Sequence, residues 1–205
     1  MIYTRGNRNG ILIVGDSLPP NKNTIQKISQ VLDPTHPVYN SLIIPIKYYI
    51  NNYLISKDFQ LPLEKPNVDF FFYINAIDDP STKSNPDLNV LNREVNRTEH
   101  KIILPMGSFA FWSVENVLER VTKKNCTIEE LGRIFYQRIS ITPIDFPIVL
   151  PILHNVANLK FEETKKFIMD QSKEYISYYH YVGFQIGKLL LSNKDNFALI
   201  LNRSA

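Results

Sequence analysis

The chain reads as an α/β domain of three layers, with helices on both sides of a central, mostly parallel four-stranded sheet. Its short apolar runs are continuous rather than alternating, as strands buried on both faces are. Helical stretches separate those runs, and strand–helix alternation is the pattern that builds a parallel sheet. At 205 residues, 44% hydrophobic and 21% charged, the chain is long enough to bury a core without staples. It has no internal repeat, low-complexity tract or clear linker, so residues 1–205 read as a single domain.

The first strand is ILIVG, residues 11–15, and the helical stretch TIQKISQVL follows it with Thr24 as its N-cap. IKYYINNYLIS then leads to the second strand, VDFFFYINA at 68–76, and DLNVLNREVNR to the third, KIILPMG at 101–107. The helical stretch SFAFWSVENVLERVTKK comes next and begins on Ser108, a good capping residue. The fourth strand lies around IVLPIL, 148–153. From Leu159 to about Lys194 the pattern is helical, as FEETKKFIMDQ and then the nearly all-apolar EYISYYHYVGFQIGKLLL. FALIL at 197–201 fits a late strand or a helix tail equally well.

A net charge of +3 permits a local basic face and excludes a strongly repelling acidic surface. Cys126 is the only cysteine, which rules out an intramolecular disulfide, a CxxC pair and a cysteine-built zinc or iron–sulfur site. No metal and no cofactor are expected. The N-terminus MIYTRGNRNG lacks the apolar segment of a signal peptide. No apolar run approaches the roughly 20 residues of a membrane span. A cytoplasmic protein with no membrane partner is expected.

Gly15-Asp16-Ser17-Leu18 spells the signature of the GDSL serine esterases. That chemistry needs a histidine held by an acid and donors for an oxyanion. The only D-x-x-H, Asp33-Pro34-Thr35-His36, follows the serine closely instead of ending the chain, and Asn75 lacks a preceding Gly and a directly following Asp. An esterase using Ser17 is therefore the third reading.

Four segments leave strands on polar or small residues: Gly15-Asp16-Ser17, Asn75-Ala76, Gly107-Ser108 and His154-Asn155. In an open parallel sheet these carboxyl ends meet at one edge, where ligands bind. In that order they resemble the uracil-DNA glycosylase superfamily, most closely its compact family-4-like bacterial members. DFFFYINAID is similar to the strand whose Asn reads a flipped uracil, and KIILPMGSFAFW to the block of apolar strand, Gly and small helix. LGRIFYQRISITPIDFPIVLPILHNVANLK resembles the stretch that runs through paired prolines to the His-Pro-Ser loop. The likeness spans about residues 11–170 and rests on collinearity.

The resemblance implies a protein acting on single-stranded or base-flipped DNA, with replication or repair proteins as further partners. It implies Asn75 as base reader, His154 as the group that stabilises charge on the departing base, and Asp16 or Ser17 as the water site. It implies DNA contacts from Ser108, Asn155, Asn158 and Leu159, with Leu159 as a wedge into the base stack. Such an enzyme must unstack a base, recognise its edge and stabilise negative charge on it. An Asn amide offers both donor and acceptor to that edge.

The family's first loops read Gly-x-Asp-Pro-Tyr, Gly-Glu-x-Pro-Gly or Gly-x-Asn-Pro, whereas here Ser17 holds the third place and Pro19 comes one residue late. His154-Asn155-Val156-Ala157 lacks the Pro-Ser of the last loop, and the iron–sulfur cysteines are absent. These departures imply uracil excision that is weak, altered or absent. The alternative is a non-catalytic DNA- or protein-binding module on the same fold, with a replication or mobile-element role.

Plainer roles stand beside these. Asp16-Ser17 fit a helix cap, Asn75 a turn, and His154 a hydrogen-bonded structural histidine. Trp112 and the tyrosines from Tyr175 to Tyr181 fit core packing. Phe70, Phe71 and Phe72 also fit the core better than a stacking platform. Lys123-Lys124 and Lys165-Lys166 fit solvated faces, unless the fold sets them near His154, where they would meet phosphates.

Overall fold

The computed structural model describes residues 5–6, 10–17, 39–57, 71–77, 88–96, 101–141, 144–154 and 159–197. Its centre is one five-stranded sheet in the order β1-β3-β2-β4-β5. The strands are β1 (Arg5–Gly6), β2 (Ile11–Ser17), β3 (Phe71–Ile77), β4 (Ile102–Pro105) and β5 (Ile148–Val149). β3, β2, β4 and β5 run parallel, and β1 lies antiparallel on the outer side of β3. The four parallel strands are the four apolar runs of the sequence. The fifth is an addition: Arg5–Gly6 is too short and too polar to show a strand period.

Burial explains the continuous runs. Ile11, Leu12, Ile13 and Val14 are each no more than 1% exposed, and Ile102, Ile103 and Leu104 are fully buried. Successive strand residues point to opposite faces, so both faces of the central strands are covered.

Six α-helices appear among the described residues: α1 (Ile44–Ile55), α2 (Leu88–Val95), α3 (Gly107–Val117), α4 (Ile128–Ser140), α5 (Phe161–Lys165) and α6 (Tyr178–Ser192). A π-helical turn, Tyr39–Ile43, leads into α1. α1 and α6 pack against each other, with Gly183 and Gly187 of α6 facing Tyr49 and Tyr53. The helix expected at 24–32 with its Thr24 cap, and residues 198–201 of FALIL, lie outside the described residues; Phe197 is buried in the turn that follows α6.

Three helical expectations are corrected. α3 stops at Val117 rather than running to Lys124. Glu119 takes a left-handed φ of 55°, the Glu119 N–H donates to the Asn116 carbonyl, and the Arg120 N–H reaches back to the Glu115 carbonyl. That bond pair is the Schellman termination, built here without its usual glycine. Ser108 does not cap α3 either: Met106 is the N-cap and no side chain caps the helix.

The C-terminal third is less helical than its pattern. α5 holds five residues, and α6 starts only at Tyr178, where the Ser177 hydroxyl accepts the His180 N–H. α4 itself was legible but unread. The Thr127 side chain accepts the Glu130 N–H and Glu130 accepts the Thr127 N–H, the reciprocal capping box of T-x-x-E.

Candidate functional site

The carboxyl ends of the parallel strands lie level. Gly15 is opposite Asn75 and Ser17 opposite Ile77, while Val14 is opposite Pro105. The Met106 N–H donates to the Val14 carbonyl at 2.8 Å, and Met106 bridges Ile152 in parallel register. The Ile152 N–H donates to the Pro105 carbonyl at 2.9 Å, and Ile152 accepts the Gly107 N–H at 2.8 Å. Asn75, Gly15, Met106 and Ile152 thus form one row across the sheet. His154 follows two residues beyond that row, in a bend.

Topology marks the same edge. The chain leaves β2 for β3 on one side and returns to β4 on the other, so the strand order reverses between β2 and β4. Ligands of open α/β sheets bind outside the carboxyl ends at such a reversal. Asp16 and Ser17 lie there as the last residues of β2. They are strand residues, and the segment that follows them lies outside the described residues. Asn75 is likewise inside β3, so it is not a turn residue. Phe71 and Phe72 lie on β3, while Phe70 falls outside the described residues.

Gly107 opens α3 with a φ of 86°, a left-handed conformation that glycine adopts without a Cβ penalty. This lets the chain turn from strand to helix while the Gly107 N–H reaches Ile152. The Ser108 hydroxyl then donates to the Lys124 carbonyl at 2.7 Å and accepts the Cys126 N–H at 2.5 Å. Those two bonds tie the 123–126 loop to the first turn of α3, so Lys123 and Lys124 sit beside this edge.

The two lysines are held differently. Lys123 Nζ pairs with Glu130 at 2.9 Å, whereas Lys124 Nζ lies 4.6 Å from the Trp112 ring centroid and 5.7 Å from that of Phe109. The Thr127 N–H, and then Lys123, hold the Glu130 carboxyl at about 2. Burial pushes the Cys126 thiol up.

The other approach to His154 comes from α6. The Leu153 N–H donates to the Tyr178 hydroxyl at 2.7 Å, and Tyr178 is 1% exposed. Burial pushes that phenol far above its ordinary range, so it stays a neutral hydroxyl. The first turns of α3 and α6 therefore both adjoin the 152–154 segment. Helix N-termini carry partial positive charge, which favours an anion there.

His154 is half-buried. Leu159 is half-buried and packed against the core, the placement of an anchor rather than a free wedge. Asn155, Asn158, Asp33 and His36 lie outside the described residues. Lys165 is exposed and paired with Glu162 at 2.9 Å. No cluster of three His, Cys, Asp or Glu side chains suited to a metal occurs among the described residues. No helix there is long and apolar enough to cross a membrane.

Residue reading passed over Tyr178 as a support of the site. Its signal was the Tyr178, Tyr181, Val182 spacing, one buried face of the helix that starts just after Ser177. No protein-family model and no curated protein sequence matches the chain.

Proposed function

We propose that the chain is a DNA-acting protein on a three-layer, uracil-DNA glycosylase-like fold, receiving a flipped or single-stranded base at the carboxyl edge of its parallel sheet. The observation that carries this reading is the level row from Asn75 through Gly15 and Met106 to Ile152, with His154 just beyond it. Asn75 and the segment leading to His154 stand on the two outer parallel strands. These are three strand spacings apart, about 14 Å between backbones, a span in which two side chains reaching inward leave room for one planar base.

In that arrangement Asn75 reads the base edge with its amide and carbonyl. His154 donates to the oxygen on which charge gathers as the base departs, aided by the helix N-termini beside it. Asp16, or Ser17, orients the water that attacks the sugar. Lys124 reaches a phosphate of the same strand, joined by Ser108, Asn155 and Asn158 as DNA contacts. Ser17 in place of an acid or amide, and the absence of Pro-Ser after His154, keep uracil excision weak, altered or absent.

The same departures favour the second reading, a non-catalytic DNA-binding module. Incubation with uracil-containing single-stranded and duplex oligonucleotides separates the two. Abasic product that disappears in His154→Ala supports excision. DNA binding without product, persisting in His154→Ala, supports the module. Absence of both product and binding overturns the DNA reading, and labelling of Ser17 by a fluorophosphonate probe would favour the esterase.

A further inference from the structure

A hollow opens away from that edge, beside the start of β5. It has a volume of about 210 Å³ and is lined by Arg120, Arg138, Ile141, Ile144, Asp145, Ile148 and Val149. Val149 lies five residues before His154, about 17 Å of extended chain, so the hollow is separate from the proposed DNA site.

Its charges are unequal in their commitments. Glu115, 1% exposed, receives both terminal nitrogens of Arg138, at 2.9 and 2.6 Å. Arg138 also donates to the Val149 carbonyl at 3.0 Å, fixing the guanidinium against β5. Arg120 has no comparable partner among the described residues. It stands 4.0 Å from Glu115 and 3.3 Å from Asp145, whose side chain is 90% exposed. Two arginines face one buried carboxylate, so the floor carries one surplus positive charge. At present a solvent-exposed carboxylate answers it.

The backbone adds an independent mark. Arg120 is delivered by Glu119 in its left-handed conformation, at a position where glycine is usual. A left-handed non-glycine costs roughly 1 kcal/mol, and such strain gathers at functional positions.

We propose that this hollow binds a small aliphatic monocarboxylate, with the ligand carboxylate taking the place of Asp145 on Arg120 and its branched body against Ile141, Ile144 and Ile148. One surplus charge matches a monoanion better than a phosphate dianion. A volume of about 210 Å³ leaves room for a chain of isovalerate size.

The test is titration of the full chain with isovalerate, isovaleramide and inorganic phosphate, followed by backbone amide NMR shifts. Saturable isovalerate binding is expected, with shifts at Arg120, Ile141 and Ile144 and none from the amide. Arg120→Ala weakens it at least about tenfold, the loss of one charge-assisted contact. Asp145→Ala, a change at an exposed side chain, tightens it about three- to fivefold by removing the internal competitor. Equal binding of isovaleramide or of phosphate overturns the proposal, as do shifts confined to other residues. So does an Asp145→Ala protein that binds isovalerate no better than the parent, a measurement that stands even if Arg120→Ala fails to fold.

Discussion

Gly132→Ala sets two effects of opposite sign against each other inside α4. Alanine is the better helix former by about 1 kcal/mol. The structure opposes that gain: a Cβ at Gly132 would lie 2.2 Å from the Phe167 carbonyl oxygen and 2.7 Å from two further Phe167 backbone atoms. Backbone cannot swing aside as a side-chain tip does. Phe167 is also fully buried among rings, 5.4 Å from Phe135 and 5.1 Å from Tyr178. Overpacking of this kind costs up to about 3 kcal/mol, which leaves a net loss of about 2 kcal/mol. Because Phe167 packs on Tyr178, whose hydroxyl holds Leu153, the strain should also reach the segment before His154. Urea unfolding measures the first effect and the His154 backbone NMR shift the second. A Gly132→Ala protein as stable as the parent, or about 1 kcal/mol more stable, would refute the claimed α4–Phe167 contact.

Glu119→Gly should stabilise by about 1 kcal/mol, because glycine adopts the left-handed turn after α3 without penalty; a lower urea midpoint would contradict that turn. Tyr178→Phe should cost about 1–3 kcal/mol by leaving the Leu153 N–H buried without its acceptor, and should weaken DNA binding at the adjoining segment in a salt-dependent titration. Burial alone would raise the Asp170 carboxyl, but hydrogen bonds led by Ser172, with Tyr175 and Gln185, outweigh it and hold it at about 2, below its ordinary 3.8. Its folded value is the lower one, so its stabilisation is complete above about 4 and lost as pH falls toward 2. Urea midpoints of Asp170→Asn should therefore fall less than those of the parent across that interval.

The four parallel strands were legible because burial on both faces leaves a continuous apolar run, which few other elements produce at that length. β1 was not, since Arg5–Gly6 pairs through its backbone and leaves no side-chain period. The long helices erred at their ends. Glu119 ends α3 through a conformation no residue type announces, and the 166–177 stretch keeps a helical pattern while its backbone turns around Asp170. Its Asp170 carboxylate takes the Ser172 N–H, the Tyr175 hydroxyl and the Gln185 amide. At the site, the strand ends named by sequence do lie along one edge. What sequence could not give was the support beneath them, because the Ser108–Cys126 and Leu153–Tyr178 bonds span 18 and 25 residues.

These long-range bonds bear on whether the edge is a working site or a plain strand terminus. A strand end with no task needs only water for its last backbone groups. Here Met106 donates to Val14, Ile152 to Pro105 and Gly107 to Ile152 across three segments, and Leu153 is satisfied by a buried phenol rather than by solvent. The backbone up to His154 is thus fixed by interior bonds, while His154 itself stays half-buried. Fixed backbone beneath a partly open imidazole is the arrangement by which a rigid scaffold presents a side chain to a ligand. The first turns of α3 and α6 are tied to this segment by the Gly107–Ile152 and Leu153–Tyr178 bonds, and helix N-termini favour an anionic ligand or a developing negative charge. A phosphate or a departing base supplies that charge, and so does the oxyanion of an acyl transfer, so labelling of Ser17 rather than the field of the edge tells the DNA reading from the esterase.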